Sequence, residues 1–342
     1  DRTEERRGPA LQAAYDKDGN PTKALEGFAR SCGVTPDQLQ QQETDKGTWL
    51  VFRQEVAGQA TATLLPEILQ QAIHALPIPK RMRWGASEEA FLRPVHWMVL
   101  LLGSEVVPMT LFGIQTGHES RGHRFHAPGS IPIASAAAYA NALETQGKVI
   151  ADLDRRREMI REQITALGES LGGTTSIDGD LLDEVTALVE WPVALAGKFE
   201  ERFLEVPQEA LIASMQDHQK FFPVLNAEGR LLPVFITVSN LESRDPQKVI
   251  EGNERVIRPR LSDAAFFWEQ DRKQPLESRR ERLASVVYQT QLGSVLEKSD
   301  RVTALAAHIA GLLGSDVRHA QRAGELCKCD LLSAMVFEFP EL

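Results

Sequence analysis

The sequence predicts an α+β protein, a mixed sheet-and-helix domain followed by the start of an all-helical one. Three observations carry this expectation. Short runs rich in β-branched and aromatic residues, bounded by glycine and polar turn residues, recur through the first two thirds of the chain. Between them apolar residues repeat at three- and four-residue spacing. From Asp245 onward only the helical pattern remains. The expected segments are 1–60, a helix-and-strand portion of the mixed domain; 61–272, the body of that domain; and 273–342, the beginning of the helical one.

Near the start, Asn20 and Pro21 predict a helix cap and first turn, with Cys32-Gly33 as its end. Residues 48–56 predict a strand. Residues 61–76 predict a helix with Leu64, Leu65, Ile68, Leu69, Ala72, Ile73 and Leu76 on one face. A hairpin is expected from 95–102 and 106–112 about Gly103-Ser104, then a polar loop over 115–129. Helices are expected near 135–145, 154–171 and 181–191, followed by an apolar strand over 193–198. A second hairpin pairs 220–225 with 232–238 through Ala227-Glu228-Gly229. Asp245-Pro246 predicts a helix start. Pro259 is expected to break that helix, because its ring disfavours helical geometry at Arg258. Further helices are expected over 262–271, 277–285, 295–313 and 318–337.

Length and composition narrow the function classes. At 342 residues two domains are expected, and 42% hydrophobic with 25% charged residues is the globular range. No run approaches the roughly 18–20 apolar residues that span a bilayer. The charged opening DRTEERRG has no signal-peptide core. The missing initiator Met and the ending FEFPEL lead us to expect a fragment of a longer chain. Only Cys32, Cys327 and Cys329 occur, which argues against a disulfide scaffold and for a reducing cytoplasmic setting. A net charge of −10 means that any nucleic-acid binding must come from local basic patches.

Four clusters are candidates for chemistry. HESRGHRFH, residues 118–126, holds three histidines and two arginines. A metal site through His118, His123 and His126 lacks the HExxH spacing, and two arginines repel a dication. Two readings of the loop stand. Arg121, His123 and Arg124 form an anion site with forked guanidinium donors, or the loop is solvated and its polar side chains pin the backbone. In DHQKFFP, residues 217–223, Asp217 and His218 are adjacent and on a strand would face opposite ways. Lys220 is the candidate phosphate contact, and Phe221-Phe222 reads as core on at least one side. In NERVIRPRLSDAAFFW, residues 253–268, Arg255, Arg258 and Arg260 straddle the expected break. Exposed first-turn N–H groups beside guanidinium groups suit a phosphate there. Of Phe266, Phe267 and Trp268, at least two are expected to pack into a core. Towards the end lie His308, His319, Cys327, Cys329 and Asp330. Cys-x-Cys alone is a weak zinc signal, and buried cysteines on an amphipathic helix are expected instead. No GxxxxGK[ST] loop, GxGxxG after a strand, GxSxG elbow or HExxH is present, so no catalytic residue, metal ligand or cofactor is assigned to the chain.

Taken in order, RRGPALQAAYDKDGNPTKALEGFARSCGV, LPIPKRMRWG, FLRPVHWMVLLLG, GHESRGHRFH, LVEWPVALAGKFEERFLEVPQEAL, DHQKFFPV, ITVSNLESRDPQKVIEGNERVIRPRLSDAAFFWEQDRK and KCDLLSAMVFEFPEL resemble one family. It is the β subunit of the bacterial tetrameric glycyl-tRNA synthetase, and the resemblance runs over essentially the whole chain. It implies a tRNA-binding subunit without the catalytic centre. A separate α subunit would pair with it as α2β2 and use ATP and Mg to attach glycine to tRNA(Gly). It implies a B3/B4-like mixed domain and an HD-like helical domain, with the anticodon-binding region beyond this chain. It also makes Arg121, His123, Arg124, Lys220, Arg255, Arg258 and Arg260 the expected tRNA contacts, and the chain alone inactive in aminoacylation. A hydrolase is the alternative, clearing mischarged tRNA or acting as an HD-type metal phosphohydrolase. The place of the HD family's His-Asp dipeptide reads Cys329-Asp330, which departs from the metal-binding pattern.

Overall fold

The computed structural model describes residues 1–45 and 47–340. Helices and strands are mixed, as expected of an α+β chain. Two compact units are present, one of residues 1–119 with 134–136, the other of 120–133 with 137–342.

In the first unit Arg2–Ala10, Gly47–Val56 and Gln40–Thr44 form an antiparallel sheet with Gly47–Val56 in the centre. Its register places Glu5 opposite Arg53, and their side chains meet at 2.8 Å. The helix Lys23–Cys32 buries Leu25 and Ala29 against Ala14, Leu39 and Leu50. It begins after Thr22, not at Asn20-Pro21, because Pro21 bridges back to Tyr15. It ends where Gly33 adopts φ +71°, a left-handed cap that glycine takes without steric cost. The helix Thr61–His74 forms where the periodicity predicts it, yet none of its residues is buried within the chain.

The first hairpin is shorter than expected. Leu101–Leu102 and Glu105–Val106 pair around the turn, and the Val107 N–H still donates to the Leu100 carbonyl at 3.0 Å. Pro108 has no N–H with which to extend the ladder. Met98–Val99 pairs in parallel with Ile114–Gly117, so part of the segment expected as a polar loop is strand. Glu119–Arg121 is strand as well, paired with Ser130–Pro132.

The second unit is built on an antiparallel sheet in the order Thr174–Thr175, Phe222–Leu225, Leu231–Ser239, Val193–Lys198. Both faces are covered. Consecutive strand residues point to opposite faces, so Phe235 and Ile236 enter different cores, each with no exposed surface. Ile236 joins Phe222 and Val224 under the helices Leu153–Ser170 and Gly179–Leu188, which contribute Ile160, Ile164, Leu182 and Val185. Phe235 stacks on Phe221 at 4.6 Å between ring centres and shares a core cluster with Leu211, Met215, Ile257, Leu261 and Ala264. Asp152 and Asp178 cap the two covering helices by accepting N–H groups of Arg155 and Leu181.

The helix Pro246–Arg272 corrects the expected break: it runs 27 residues straight through Pro259. Proline costs about 3 kcal/mol in a helix interior. Ile257 and Leu261 flank it with no exposed surface, and burying each such side chain contributes about 1.5–3 kcal/mol. Pro259 itself sits on the exposed side, so its ring displaces nothing in the core.

Beyond it, residues expected as an α-helix over 277–285 fold as the 3-10 segment Leu276–Ser285. The helix Val295–Leu312 carries a capping box in which Ser294 and Glu297 exchange hydrogen bonds, and the Ser294 N–H holds the Glu297 carboxyl below its ordinary range. The single helix expected over 318–337 is instead three pieces, Val317–Leu326, Cys329–Leu332 and Ala334–Glu338. The last begins where Asp271, on the long helix, accepts the N–H groups of Ala334 and Met335 at 3.0 and 2.8 Å. A carboxylate 63 residues away in sequence sets that start.

Candidate nucleic-acid interface

The loop 118–126 divides between a buried anchor and an exposed tip. His123 is 2% exposed. Its Nδ1 accepts the N–H groups of Phe125 and His126 at 3.3 and 3.4 Å, so the ring proton is on Nε2, which donates to the Asn240 carbonyl at 2.6 Å. The Asn240 side chain in turn accepts the N–H groups of Glu190 and Trp191. His126 Nε2 accepts from the Glu242 N–H at 3.0 Å. The His123 imidazole therefore shapes the loop, and both of its nitrogens are used inside the protein. Arg121 and Arg124 lie on the exposed side. The Arg124 guanidinium is 5.8 Å from the centre of the Phe125 ring.

Gly122 makes this loop possible. A Cβ there would stand 2.6 Å from the Gly147 carbonyl oxygen and 2.7 Å from that of Ala127. Both neighbours are backbone and have little freedom to yield. Gly122→Ala is expected to cost about 1–3 kcal/mol, the range for forced overpacking. Urea unfolding of wild type and variant reads this directly, and equal midpoints would show that the approach is not tight.

Lys220 has φ +58°, an uncommon conformation for a residue with a side chain, and its Nζ pairs with Glu184 at 2.9 Å. Asp217 and His218 are not on a strand as expected: they end a π-helical turn, Ser214–His218, where the His218 ring lies 6.1 Å from Phe339. Phe221 and Phe222 are both buried, on opposite faces of the sheet.

Arg255, Arg258 and Arg260 lie on the uninterrupted helix, and all are exposed. With no break there are no free first-turn N–H groups beside them. At about 100° per residue, Arg258 projects roughly 60° from Arg255 and Arg260 about 140° to the other side, so the three fan around the helix. Arg258 pairs with Glu200 at 2.8 Å. Arg255 and Arg260 have no ion pair among the described residues. Of the aromatics that follow, Phe267 and Trp268 pack against the core, while Phe266 is 55% exposed.

Among the described residues no group of three or more His, Cys, Asp or Glu is placed to hold a metal ion. Cys329 is buried, its thiol donates to the Glu325 carbonyl, and burial pushes its pKa up. Cys327 is exposed, so the expectation of two buried cysteines on one helix holds for Cys329 alone, and it lies outside the α-helix.

Two features escaped the sequence reading. Phe125 is 71% exposed although its loop is pinned, and Leu241–Arg244 is brought against it, the two together bounding a cavity of about 670 Å³ in which Arg244 is a further cation. The signal for the first was available as one aromatic residue inside a basic run, RGHRFH. Arg244 lies 120 residues further on, and only folding joins it to the loop.

Exposed guanidinium groups lie on an anchored loop, beside an exposed aromatic ring, and along a long helix. The model of the glycyl-tRNA synthetase beta subunit family matches residues 1–342, and the chain belongs to that family. Among similar curated proteins are the glycine–tRNA ligase beta subunits of Chromohalobacter salexigens, 60% identical over all of this chain and 49% of that protein, and of Hahella chejuensis, 57% identical over 99% and 49%. That of Marinobacter nauticus is 55% identical over 100% of this chain and 50% of its own length. The chain spans about half the length of these relatives.

Proposed function

We propose that this chain is the tRNA-handling part of a glycine–tRNA ligase β subunit, without the catalytic centre. It acts with a separate α subunit, in an α2β2 assembly, in the ATP-dependent attachment of glycine to tRNA(Gly) in the cytoplasm. The observation that supports this most is the family match over residues 1–342. On this reading ATP and Mg are handled by the α subunit, and residues 61–272 and 273–342 correspond to B3/B4-like and HD-like parts. Among the described residues no helix is long and apolar enough to cross a membrane.

The tRNA contacts we assign are Arg121 and Arg124 on the loop, Lys220, and Arg255, Arg258 and Arg260 on the long helix. His123 contributes by holding the loop. Lys220 and Arg258 exchange a carboxylate partner for a phosphate, so their net contribution is smaller than that of Arg255 and Arg260. The triple variant Arg255→Ala, Arg258→Ala, Arg260→Ala is expected to weaken tRNA binding most at low salt. If all three touch phosphates, the slope of log K against log salt falls by about 0.9 for each. Filter binding of tRNA(Gly) across a salt series measures both. An unchanged slope together with unimpaired charging in the assembled enzyme would remove these arginines from the interface. The chain without the α subunit is expected to make no glycyl-tRNA, measured with radiolabelled glycine, and product from it alone would overturn the division of labour.

A further inference from the structure

We infer that the tip of the 118–126 loop is a stacking site for an unpaired nucleotide, with Phe125 as platform and Arg124 and Arg244 as the phosphate contacts. This rests on the reading of the chain as a tRNA-binding protein and names the part of the RNA that one site would take.

Phe125 carries a large apolar ring, and it is 71% exposed. An exposed aromatic on a loose loop is unremarkable, because it can fold back on its surroundings. Phe125 is not on a loose loop. Its own N–H and that of His126 are held by His123 Nδ1, and His123 is buried and tied to Asn240. Gly122 lies in backbone contact range of Gly147, and the His123 N–H donates to the Gly147 carbonyl at 2.7 Å. The conformation that exposes the ring is therefore imposed by buried groups, and the ring is preorganised with its surface in water.

The surroundings select the ligand. The cavity beside the ring is lined by Phe125, His126, Leu241, Glu242, Ser243 and Arg244. One aromatic face and one aliphatic side chain suit a flat, partly apolar group. Arg124 next to the ring and Arg244 across the cavity suit its anionic ester. A nucleotide unites these two properties, and a base already paired in a helix hides its faces in the stack. An unpaired residue is the form that fits. Glu242 is the one carboxylate in the lining, and it repels phosphate. Its carboxylate accepts hydrogen bonds only, so it favours a base edge that donates through an amino group, as adenine, cytosine and guanine have and uracil lacks. A protein segment would also cover an exposed ring, but two arginines around one ring answer a polyanion better than a neutral apolar surface.

The test uses the 342-residue chain and short RNA probes. A single-stranded RNA octamer carrying one 2-aminopurine among adenines reports stacking by loss of its fluorescence. A blunt duplex and a uracil octamer of the same length are the comparisons. Wild type is expected to quench the adenine probe and to bind it more tightly than either comparison. Phe125→Ala should abolish quenching and weaken binding about 5- to 150-fold, the range for one base on an aromatic side chain. Phe125→Trp should restore both. Phe125→Leu, which keeps apolar bulk without a π face, should not. Because Phe125 is mostly exposed, all three should melt like wild type. Equal binding by Phe125→Ala and wild type, with tRNA binding intact, would overturn the stacking site and leave the tRNA reading standing. Failure of wild type to bind the octamer and tRNA alike would overturn both. Full rescue by Phe125→Leu would also overturn it, marking a surface for an apolar protein partner.

Discussion

Asp271→Ala is expected to be the most destabilising single change in the C-terminal part of the chain, at about 3–5 kcal/mol. Its carboxylate accepts from the Arg279 guanidinium at 2.6 Å and from the N–H groups of Ala334 and Met335. Both side chains of the ion pair are largely buried, at 8% exposure for Arg279 and 15% for Asp271. Removing one partner strands a guanidinium in a poorly hydrated place and frees two N–H groups at once. Loss of those two bonds also releases Ala334–Glu338, which holds Met335, and with it Phe339, in the large core cluster. Asp271→Asn keeps an acceptor oxygen while losing the charge, so it should fall between wild type and alanine. Urea unfolding followed by circular dichroism gives the order. An alanine variant within about 1 kcal/mol of wild type would mean that this carboxylate does not organise the end of the chain, since a stranded buried charge costs more.

His123→Ala is expected to have the second largest effect, in stability and in binding together. It takes the donor away from the Asn240 carbonyl and the acceptor away from two N–H groups. Each buried polar group left unmet costs about 1–3 kcal/mol, so a total of about 3 kcal/mol is expected once water meets part of the need. The binding effect comes without any contact with RNA. Once the loop is free, Arg124 and Phe125 must be ordered again on binding, at about 0.5–1.5 kcal/mol for each immobilised side chain, or about 5- to 150-fold in affinity for the pair. The measurement is tRNA affinity below the melting range of the variant. A variant that loses stability and keeps wild-type affinity would separate the anchor from the interface.

Much of the fold was legible because its causes are local. The strand Val193–Lys198 was expected at those residues, since its apolar run begins after a proline and ends at a charge. The second hairpin was placed by its glycine turn, and Gly229 indeed has φ +74°. The helix Thr61–His74 followed from its apolar spacing. That spacing says nothing about what covers the face, and Ile68 is 54% exposed. Of the candidate site, the basic loop and the three arginines were legible as charge. Their division into buried anchor, ion-paired residue and exposed cation was not. His123 and His126 look alike in sequence, and they differ because only one meets the Asn240 carbonyl.

By itself the sequence determined the mixed composition of the fold, most of its elements, and the kinship with glycyl-tRNA synthetase beta subunits, which the family match over residues 1–342 shows. Those properties rest on residue order and on rules that act over a few residues: spacing, caps and turn chemistry. Tertiary structure alone decided that Pro259 lies inside a helix, that residues 317–338 form three pieces, and that Phe125 faces solvent on a fixed loop. Pro259 is held there by Ile257 and Leu261, buried in the cluster that contains Phe235, and in the other two cases the deciding contact joins residues far apart, 63 positions for Asp271 with Ala334 and 117 for His123 with Asn240. Burial and hydrogen bonds of that kind are worth about 1–3 kcal/mol each; together they outweigh local preferences of a few tenths to one kcal/mol, and about 3 kcal/mol for Pro259, and they are invisible until the chain has folded.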